Sequence, residues 1–179
     1  HQLQPHFLFN SLNSVYALTI VNPTEAGTMI TKLAAFLRGT LKRDDEIWVS
    51  VADEMEYIQL YLDIEKVRFS HRLSVEVNVS EETLGLCLPG TLLQPIVENA
   101  ILHGAMKRKK GIVEITVESI GENVRITIED NGQGIPEKVL AALKEGETKE
   151  FSIGLFNVEK RLRYLYGRDR GLKIQTGEE

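Results

Sequence analysis

Apolar residues change their spacing near residue 70 of this chain, from the period of a helix to the period of a strand. Before that point they recur every three or four positions, in three successive segments. From Leu73 onward they alternate with polar residues, and the same alternation returns in later segments. The change predicts an α+β protein with a helical unit at residues 1–70 and a second unit at residues 71–179.

The first unit is predicted to contain three helices. Their apolar stripes lie at Leu8, Leu12 and Val15, at Met29, Leu33, Leu37 and Leu41, and at Val51, Met55, Ile58 and Leu62. Thr24 is predicted to cap the second helix and Ser50 the third. A hairpin of two helices cannot cover its own apolar stripe, so we expect pairing with a second copy of the chain into a four-helix bundle. The chain is therefore predicted to be a homodimer.

The second unit is predicted to be an α/β sandwich. Strands are expected at residues 73–79, 113–117, 124–128 and 172–176. Helices are expected from Pro89 to Gly104 and from Gly154 to Tyr166. This order favours a mixed, mostly antiparallel sheet with helices on one face, whose last strand is truncated at the end of the chain.

Composition narrows the range of partners and compartments. The chain has 21 Lys and Arg against 26 Asp and Glu, a net charge of -5 that would repel a nucleic-acid backbone. A single cysteine suits a reducing compartment, and the cytoplasm is expected. No apolar run reaches the roughly 20 residues that span a bilayer. We therefore expect membrane contact only through preceding parts of a longer parent chain.

Asp130 follows a predicted strand, in which Val124, Ile126 and Ile128 place its carboxylate on the apolar face. A carboxylate there is costly unless a partner satisfies it. It opens the segment D-N-G-Q-G, whose glycines let the backbone approach a ligand closely. The pattern favours a carboxylate that accepts a hydrogen bond from the exocyclic amine of adenine. The alternative is an ordinary loop after a strand.

Asn99 and His103 lie four residues apart on one predicted helix, at the edge of its apolar stripe. An amide oxygen can bind a Mg²⁺ ion that keeps most of its waters and is otherwise held by substrate phosphates. Asn99 is therefore the candidate metal ligand. Seen alone, either residue is more often a capping or packing residue.

Gly154 stands at the start of a predicted helix, whose free backbone amides and positive dipole end can hold phosphates. The polar stretch from Glu137 to Phe151 is long enough to fold over a nucleotide as a lid, and a plain surface loop is the alternative. The basic run from Lys107 to Lys110 is either a phosphate contact or a solvated loop.

His6 stands in the segment P-H-F-L-F-N near the head of the first predicted helix. An imidazole is largely neutral at cytoplasmic pH, so one ring nitrogen is available to attack a phosphoryl group. Seen alone, a histidine here is more often a surface or bundle residue. His6 becomes a candidate nucleophile through the segments that accompany it.

In order and spacing, these segments resemble the LytS-like sensor histidine kinases. The matching segments are P-H-F-L-F-N at residues 5–10, V-E-N-A-I-L-H-G at 97–104, D-N-G-Q-G-I at 130–135 and G-L-F-N-V-E-K-R-L at 154–162. The resemblance implies a fold of the histidine kinase ATPase type, with ATP and Mg²⁺ bound under a lid. It implies phosphorylation of His6 and onward transfer to an aspartate in the receiver domain of a response regulator.

The resemblance also implies roles for individual residues. Asn99 is the implied Mg²⁺ ligand, and Asp130 is the implied contact to adenine. The other implied nucleotide contacts are His103, Gly104, Gly132, Gly134, Ile135, Gly154, Leu155 and Asn157.

The chain departs from the pattern of this family at three places. Leu102 stands where many members have Lys, and the glycine-containing hairpin that usually follows the last strand is missing. Other histidine kinases have an acidic residue directly after the phosphorylated His, whereas Phe7 follows His6 here, which leaves Glu98 as the candidate general base.

These departures keep a second hypothesis open, in which the chain is a nucleotide-binding scaffold without kinase activity that signals through its dimer. An ATPase clamp would need a glutamate that activates water one turn before Asn99. Pro95 stands there instead, which disfavours that hypothesis.

Overall fold

A computed structural model describes residues 5–43, 47–146 and 153–177. The helices are Pro5–Val21 (α1), Pro23–Arg43 (α2), Val51–Phe69 (α3), Gln94–Asn99 (α4), Glu137–Glu145 (α5) and Ile153–Tyr166 (α6). The strands are Trp48–Ser50 (β1), Leu73–Val79 (β2), Cys87–Pro89 (β3), Gly111–Ile120 (β4) and Asn123–Asp130 (β5). Within these described ranges, no helix is both long and apolar enough to cross a membrane. The predicted α+β class is confirmed.

The first three helices pack on one another through a cluster of aromatic rings. The ring of Phe36 on α2 lies 4.8 Å from that of Tyr57 and 5.1 Å from that of Phe7. The ring of Phe7 also lies 5.3 Å from that of Tyr61 on α3. Aromatic rings bury large areas, and such pairs add about 0.5–1.5 kcal/mol each beyond that burial. The cluster fixes the head of α1 against the middle of α3.

The sequence predicted Thr24 as the cap of α2, but the structure shows that Asn22 caps this helix. Oδ1 of Asn22 accepts a hydrogen bond from the backbone N–H of Glu25 at 3.2 Å. Pro23 is already the first helical residue, where its missing N–H costs nothing, so Thr24 stands too late to cap. Ser50 does cap α3, since its hydroxyl accepts the N–H three residues later at 3.0 Å.

Strand β4 is the centre of a three-stranded sheet, parallel to β2 and antiparallel to β5. A separate antiparallel pair joins β1 to β3. Gly121 closes the hairpin of β4 and β5 with a φ of +59°, as the first position of a type II′ turn requires. Val113, Ile115 and Val117 are buried on one face of β4 and lie opposite Asp130, Ile128 and Ile126, respectively. The sheet is mixed, as predicted.

The helix predicted to start at Pro89 begins five residues later. Pro89 ends β3, where it lies opposite Trp48. Thr91 then turns the chain with a φ of +58°, and Pro95 occupies the first turn of α4. After Asn99 the backbone continues as a single π-helical turn, Ala100–Gly104. The prediction of one continuous helix was therefore wrong at its start and in its last turn.

The strand predicted from Leu172 is absent from residues 172–177. The backbone N–H of Leu172 donates to the carboxylate of Glu159, which holds this segment against α6. Leu172 and Ile174 pack on an apolar cluster that includes Val139 and Leu155. The alternation in the sequence thus reflects packing on helices rather than pairing in a sheet.

Helix α1 leaves an apolar stripe exposed, which we call the α1 stripe. Its members and their exposed fractions are Phe9 at 65%, Leu12 at 50%, Tyr16 at 70% and Ile20 at 72%. Leu12 was predicted to face the same way as Val15, but only Val15 is buried. Because Ser11 takes the inward position beside Val15, the apolar face of α1 is split into an inner and an outer stripe.

Candidate active site

The end of β5 meets the π turn at a corner built from Asp130 and two glycines. Oδ1 of Asp130 accepts a hydrogen bond from the backbone N–H of Gly132 at 2.8 Å. A Cβ on Gly104 would overlap the Asp130 carboxylate, and a Cβ on Gly132 would lie 2.6 Å from the Cα of Gly104. Asp130 shares the inward face of the sheet, as predicted, yet its side chain is exposed. The corner therefore presents an accessible carboxylate beside bare backbone.

The loop after Asp130 is braced by hydrogen bonds to the start of β4. The Asn131 amide accepts from the N–H of Ile112 at 2.8 Å and donates to the carbonyl of Lys110 at 2.9 Å. Arg108 donates to the carbonyl oxygens of Asn131 and Gly132, at 3.1 Å and 3.4 Å. One member of the basic run thus holds the loop in place. The sequence had left open whether this run was a phosphate contact or a solvated loop.

Asn99 directly precedes the π turn, and His103 lies within it. Asn99 is the last residue of α4 and is half-buried, whereas His103 is exposed. Partial burial, together with the ammonium of Lys107, holds the pKa of His103 below its usual value. Single π turns inside helices are frequent at functional sites. Here the turn carries the chain from Asn99 to Gly104, where the Asp130 corner begins.

The first turn of α6 lies against the first turn of α4. A Cβ on Gly154 would lie 3.3 Å from Cβ of Pro95. Leu155 is buried with Val139, so its side chain is used in packing, whereas Asn157 is exposed. The backbone amides of Gly154 and Leu155 fall in the first helical turn, where N–H groups lack partners within the helix.

The predicted lid is partly helical. Residues 137–145 form α5, which packs through Val139 and Leu143 on the cluster that contains Leu155. Ile135 packs on the same cluster, and Gly134 adopts a φ of +77° just before it. Residues 147–151 of the predicted lid lie outside the described residues, as does Ser152.

His6 is exposed near the head of α1 and lines a cavity of about 500 Å³. Glu98 and Leu102 line the same cavity from α4 and the π turn. The structure thus brings together the residues predicted as nucleophile and base, and Asn99 is the chain neighbour of Glu98. Tyr61 of α3 lies in the cavity wall, on the side where Phe7 packs.

A second carboxylate, that of Glu65 on α3, also lines this cavity and was not predicted from the sequence. Its side chain is only 1% exposed. Burial raises the pKa of Glu65 to about 7, with the charge of Glu98 adding to the effect and Arg68 opposing it. The signal was available, because Glu65 continues the helical spacing of Ile58 and Leu62 and so places an acid on an apolar stripe.

Two protein-family models match the chain. Residues 88–178 match the family described as histidine kinase-, DNA gyrase B-, and HSP90-like ATPase. Residues 1–73 match the family described as histidine kinase. The two matches together take in His6, Asn99, Asp130 and Gly154.

Similar proteins are found among bacterial sensors. The sensor histidine kinase YpdA of Escherichia coli is 39% identical over 178 residues, which are 99% of this chain and 31% of that protein. The sensor protein LytS of Oceanobacillus iheyensis is 36% identical over 184 residues, covering 99% of this chain and 32% of that protein. The chain thus spans about a third of the length of these relatives. Among solved structures, the histidine kinase domain of a blue-light-activated histidine kinase from Erythrobacter litoralis is 18% identical, with a TM-score of 0.48, over 88% of this chain and 83% of that chain.

Proposed function

Because this chain belongs to the LytS-like sensor histidine kinases, within the family of histidine kinase-, DNA gyrase B- and HSP90-like ATPases, we propose that it phosphorylates its own His6 from ATP. The observation that carries the proposal is the shared cavity of His6 and Glu98. Glu98 is the chain neighbour of Asn99, so the acceptor histidine faces the helix assigned to the nucleotide. Nothing in this arrangement favours the scaffold without kinase activity.

The Asp130 corner fits the adenine end of ATP. Its exposed carboxylate can accept a hydrogen bond from the exocyclic amine, and the absence of side chains at Gly104 and Gly132 lets the backbone pack closely around that carboxylate. Hydrogen bonds from Asn131 and Arg108 hold the loop before a ligand arrives, which lowers the entropy cost of binding.

The phosphate end is assigned to Asn99 and to the head of α6. The amide oxygen of Asn99 would hold a Mg²⁺ ion, which would supply positive charge beside the phosphates. The first-turn amides of Gly154 and Leu155 point out of the helix start, where anions bind favourably. These groups position the phosphates. Positioning and electrostatic stabilisation together provide most of the rate enhancement in enzymatic phosphoryl transfer.

His6 supplies the nucleophile, and two carboxylates line its cavity. One is Glu98, the base predicted from the sequence, and the other is Glu65. Both line the same cavity as His6, so both are candidates for the base that receives its proton. We assign the chain from residue 1 to about 70 to dimerisation and phosphate acceptance, and residues 71–179 to ATP binding.

We assign the α1 stripe to the homodimer. Four large apolar side chains on one helical face, each at least half exposed, would be covered in a four-helix bundle with a second copy. The further partner is the receiver domain of a response regulator, which takes the phosphoryl group from His6 onto an aspartate. We place this part of the protein in the cytoplasm, joined to the membrane through other parts of the parent chain.

Incubation of the 179-residue chain with Mg²⁺ and ATP labelled at the γ-phosphate tests the proposal. We expect protein-bound label that is acid-labile and base-stable, that disappears in His6→Gln, and that persists in the control His71→Gln, which alters another exposed histidine. Asp130→Asn should abolish ATP binding, whereas His6→Gln should leave it intact. Label that survives His6→Gln, or full ATP binding by Asp130→Asn, would contradict the assignment.

A further inference from the structure

Glu65 is a buried carboxylate that the fold does not neutralise. Its side chain is 1% exposed, and neither carboxylate oxygen has a hydrogen-bond partner among the described residues. The nearest cation is Nη1 of Arg68, 3.7 Å from Oε2, which is longer than a hydrogen bond. Buried acids are normally paired and hydrogen-bonded, because an isolated charge loses its hydration. A side chain kept in this state at a cost to stability calls for a reason beyond packing.

The position of Glu65 supplies that reason. Glu65 and His6 line the same cavity, one from α3 and the other from α1. Phe7, the residue after His6, packs on Tyr61, with 5.3 Å between the ring centroids. Tyr61 and Glu65 are four residues apart on α3 and therefore share one face of the helix. The head of α1 is thus fixed beside the turn of α3 that carries Glu65.

We propose that Glu65 is the base that accepts the ring proton of His6 during phosphoryl transfer. This inference rests on the proposed function. The lone pair of one ring nitrogen forms the bond to the γ-phosphorus, and the bond from that phosphorus to the β–γ bridging oxygen breaks, with the electron pair leaving on ADP. The proton on the other ring nitrogen passes to the Glu65 carboxylate, so the imidazole ring ends neutral with the anionic phosphoryl group attached, and Glu65 ends as a carboxylic acid.

The surroundings of Glu65 suit a group that both takes and returns a proton. The groups that line the cavity with it are His6 from α1, Tyr61 and Arg68 from α3 and Glu98 from α4, of which Arg68 and Glu98 act on its charge. Burial and Glu98 raise the pKa of Glu65 to about 7 against the opposing charge of Arg68. A base whose pKa lies near the working pH gives the best compromise between being ionised and binding a proton. The same carboxylic acid can reprotonate the ring when the phosphoryl group leaves for the receiver domain.

The test compares the initial rate of His6 labelling at saturating ATP in wild type, Glu65→Gln, Glu65→Asp and Glu98→Gln. We expect Glu65→Gln to be slower by about 100-fold at pH 8, with unchanged affinity for a fluorescent ATP analogue, and Glu65→Asp to recover part of the rate. The wild-type rate should fall as the pH is lowered through 7, and this fall should be smaller in Glu65→Gln. The difference between the two pH profiles reports Glu65.

A second readout does not depend on kinase activity. The ring-nitrogen signals of ¹⁵N-labelled histidine respond to the charge beside the ring. The His6 signals at pH 8 should shift in Glu65→Gln but not in Glu56→Gln, which alters an exposed glutamate of the same helix. Wild-type rates and unshifted His6 signals in Glu65→Gln would overturn the inference. So would a rate loss confined to Glu98→Gln. Absence of label in wild type, with the His6 signals shifted as expected, would instead count against the proposed function alone.

Discussion

Glu65→Gln is expected to stabilise the folded chain, and to do so only when the pH is high enough for the wild-type carboxylate to ionise. The pKa of Glu65 is about 7 in the folded protein against a reference of 4.5. In the folded state the raised value means that the charged form is disfavoured. Ionisation of Glu65 therefore lowers the free energy of unfolding. This loss is absent well below pH 4.5, where the folded and unfolded states both hold the proton. It grows as the unfolded chain ionises first, and it is complete above pH 7.

The size of the effect follows from the difference in pKa. Each unit is worth 1.36 kcal/mol, so a difference of about 2.5 units gives a penalty of about 3 kcal/mol at pH 8, and linkage leaves about 1 kcal/mol at pH 5. Glutamine keeps the shape and removes the charge. The gain in the free energy of unfolding on Glu65→Gln should therefore be larger at pH 8 than at pH 5, by about 2 kcal/mol.

Urea unfolding followed by circular dichroism, at equal protein concentration and at both pH values, measures this difference. Glu56→Gln serves as the matched control, since this exposed side chain should change the free energy of unfolding by less than about 0.5 kcal/mol at either pH. An equal effect of Glu65→Gln at the two pH values would refute the reasoning, as would destabilisation at pH 8. Either result would mean that the Glu65 carboxylate is well satisfied in the folded chain.

Three further variants test other parts of the structure. Gly104→Ala should abolish binding of a fluorescent ATP analogue, because its methyl group would displace the Asp130 carboxylate. The control Gly85→Ala should bind the analogue normally, because no atom lies within 4 Å of the added methyl group. Tyr16→Glu should convert the dimer to a monomer in light scattering, since it places a charge within the α1 stripe; an unchanged mass would remove that stripe from the interface. Arg43→Met should destabilise the chain to urea by about 3 kcal/mol because it leaves Glu54 buried and unpaired, and adding Glu54→Met should restore most of the loss.

Local patterns predicted most of the secondary structure. The helical stripe after Ser50 and the hydroxyl cap at that residue both stand in the structure, and the alternation around Gly121 gave the hairpin of β4 and β5. The same alternation placed Asp130 on the inward face. In these segments the residues that fix the backbone are close together in the sequence, so that short windows contain the necessary information.

The errors arose where distant residues decide the local structure. Pro89 looked like a helix start, but pairing with Trp48 makes it the end of a strand. Leu172 looked like a strand start, but the carboxylate of Glu159 binds its N–H. Glu65 was not predicted for a different reason: apolar residues alone predict the helix, and the buried acids on its inward face, Glu54 and Glu65, add nothing to that pattern.

The parallel pairing of β2 with β4 has a consequence for how the chain folds. Leu73 lies opposite Gly111, so β2 is completed long before its partner has been synthesised, whereas β5 follows β4 directly through a two-residue turn. At about 5–20 residues per second, the ribosome leaves β2 without its neighbour for roughly 2–8 s. The helices that precede it make mostly local contacts and can form during that interval. Nascent chains of this protein should therefore be most prone to misassembly between the completion of β2 and the emergence of β4.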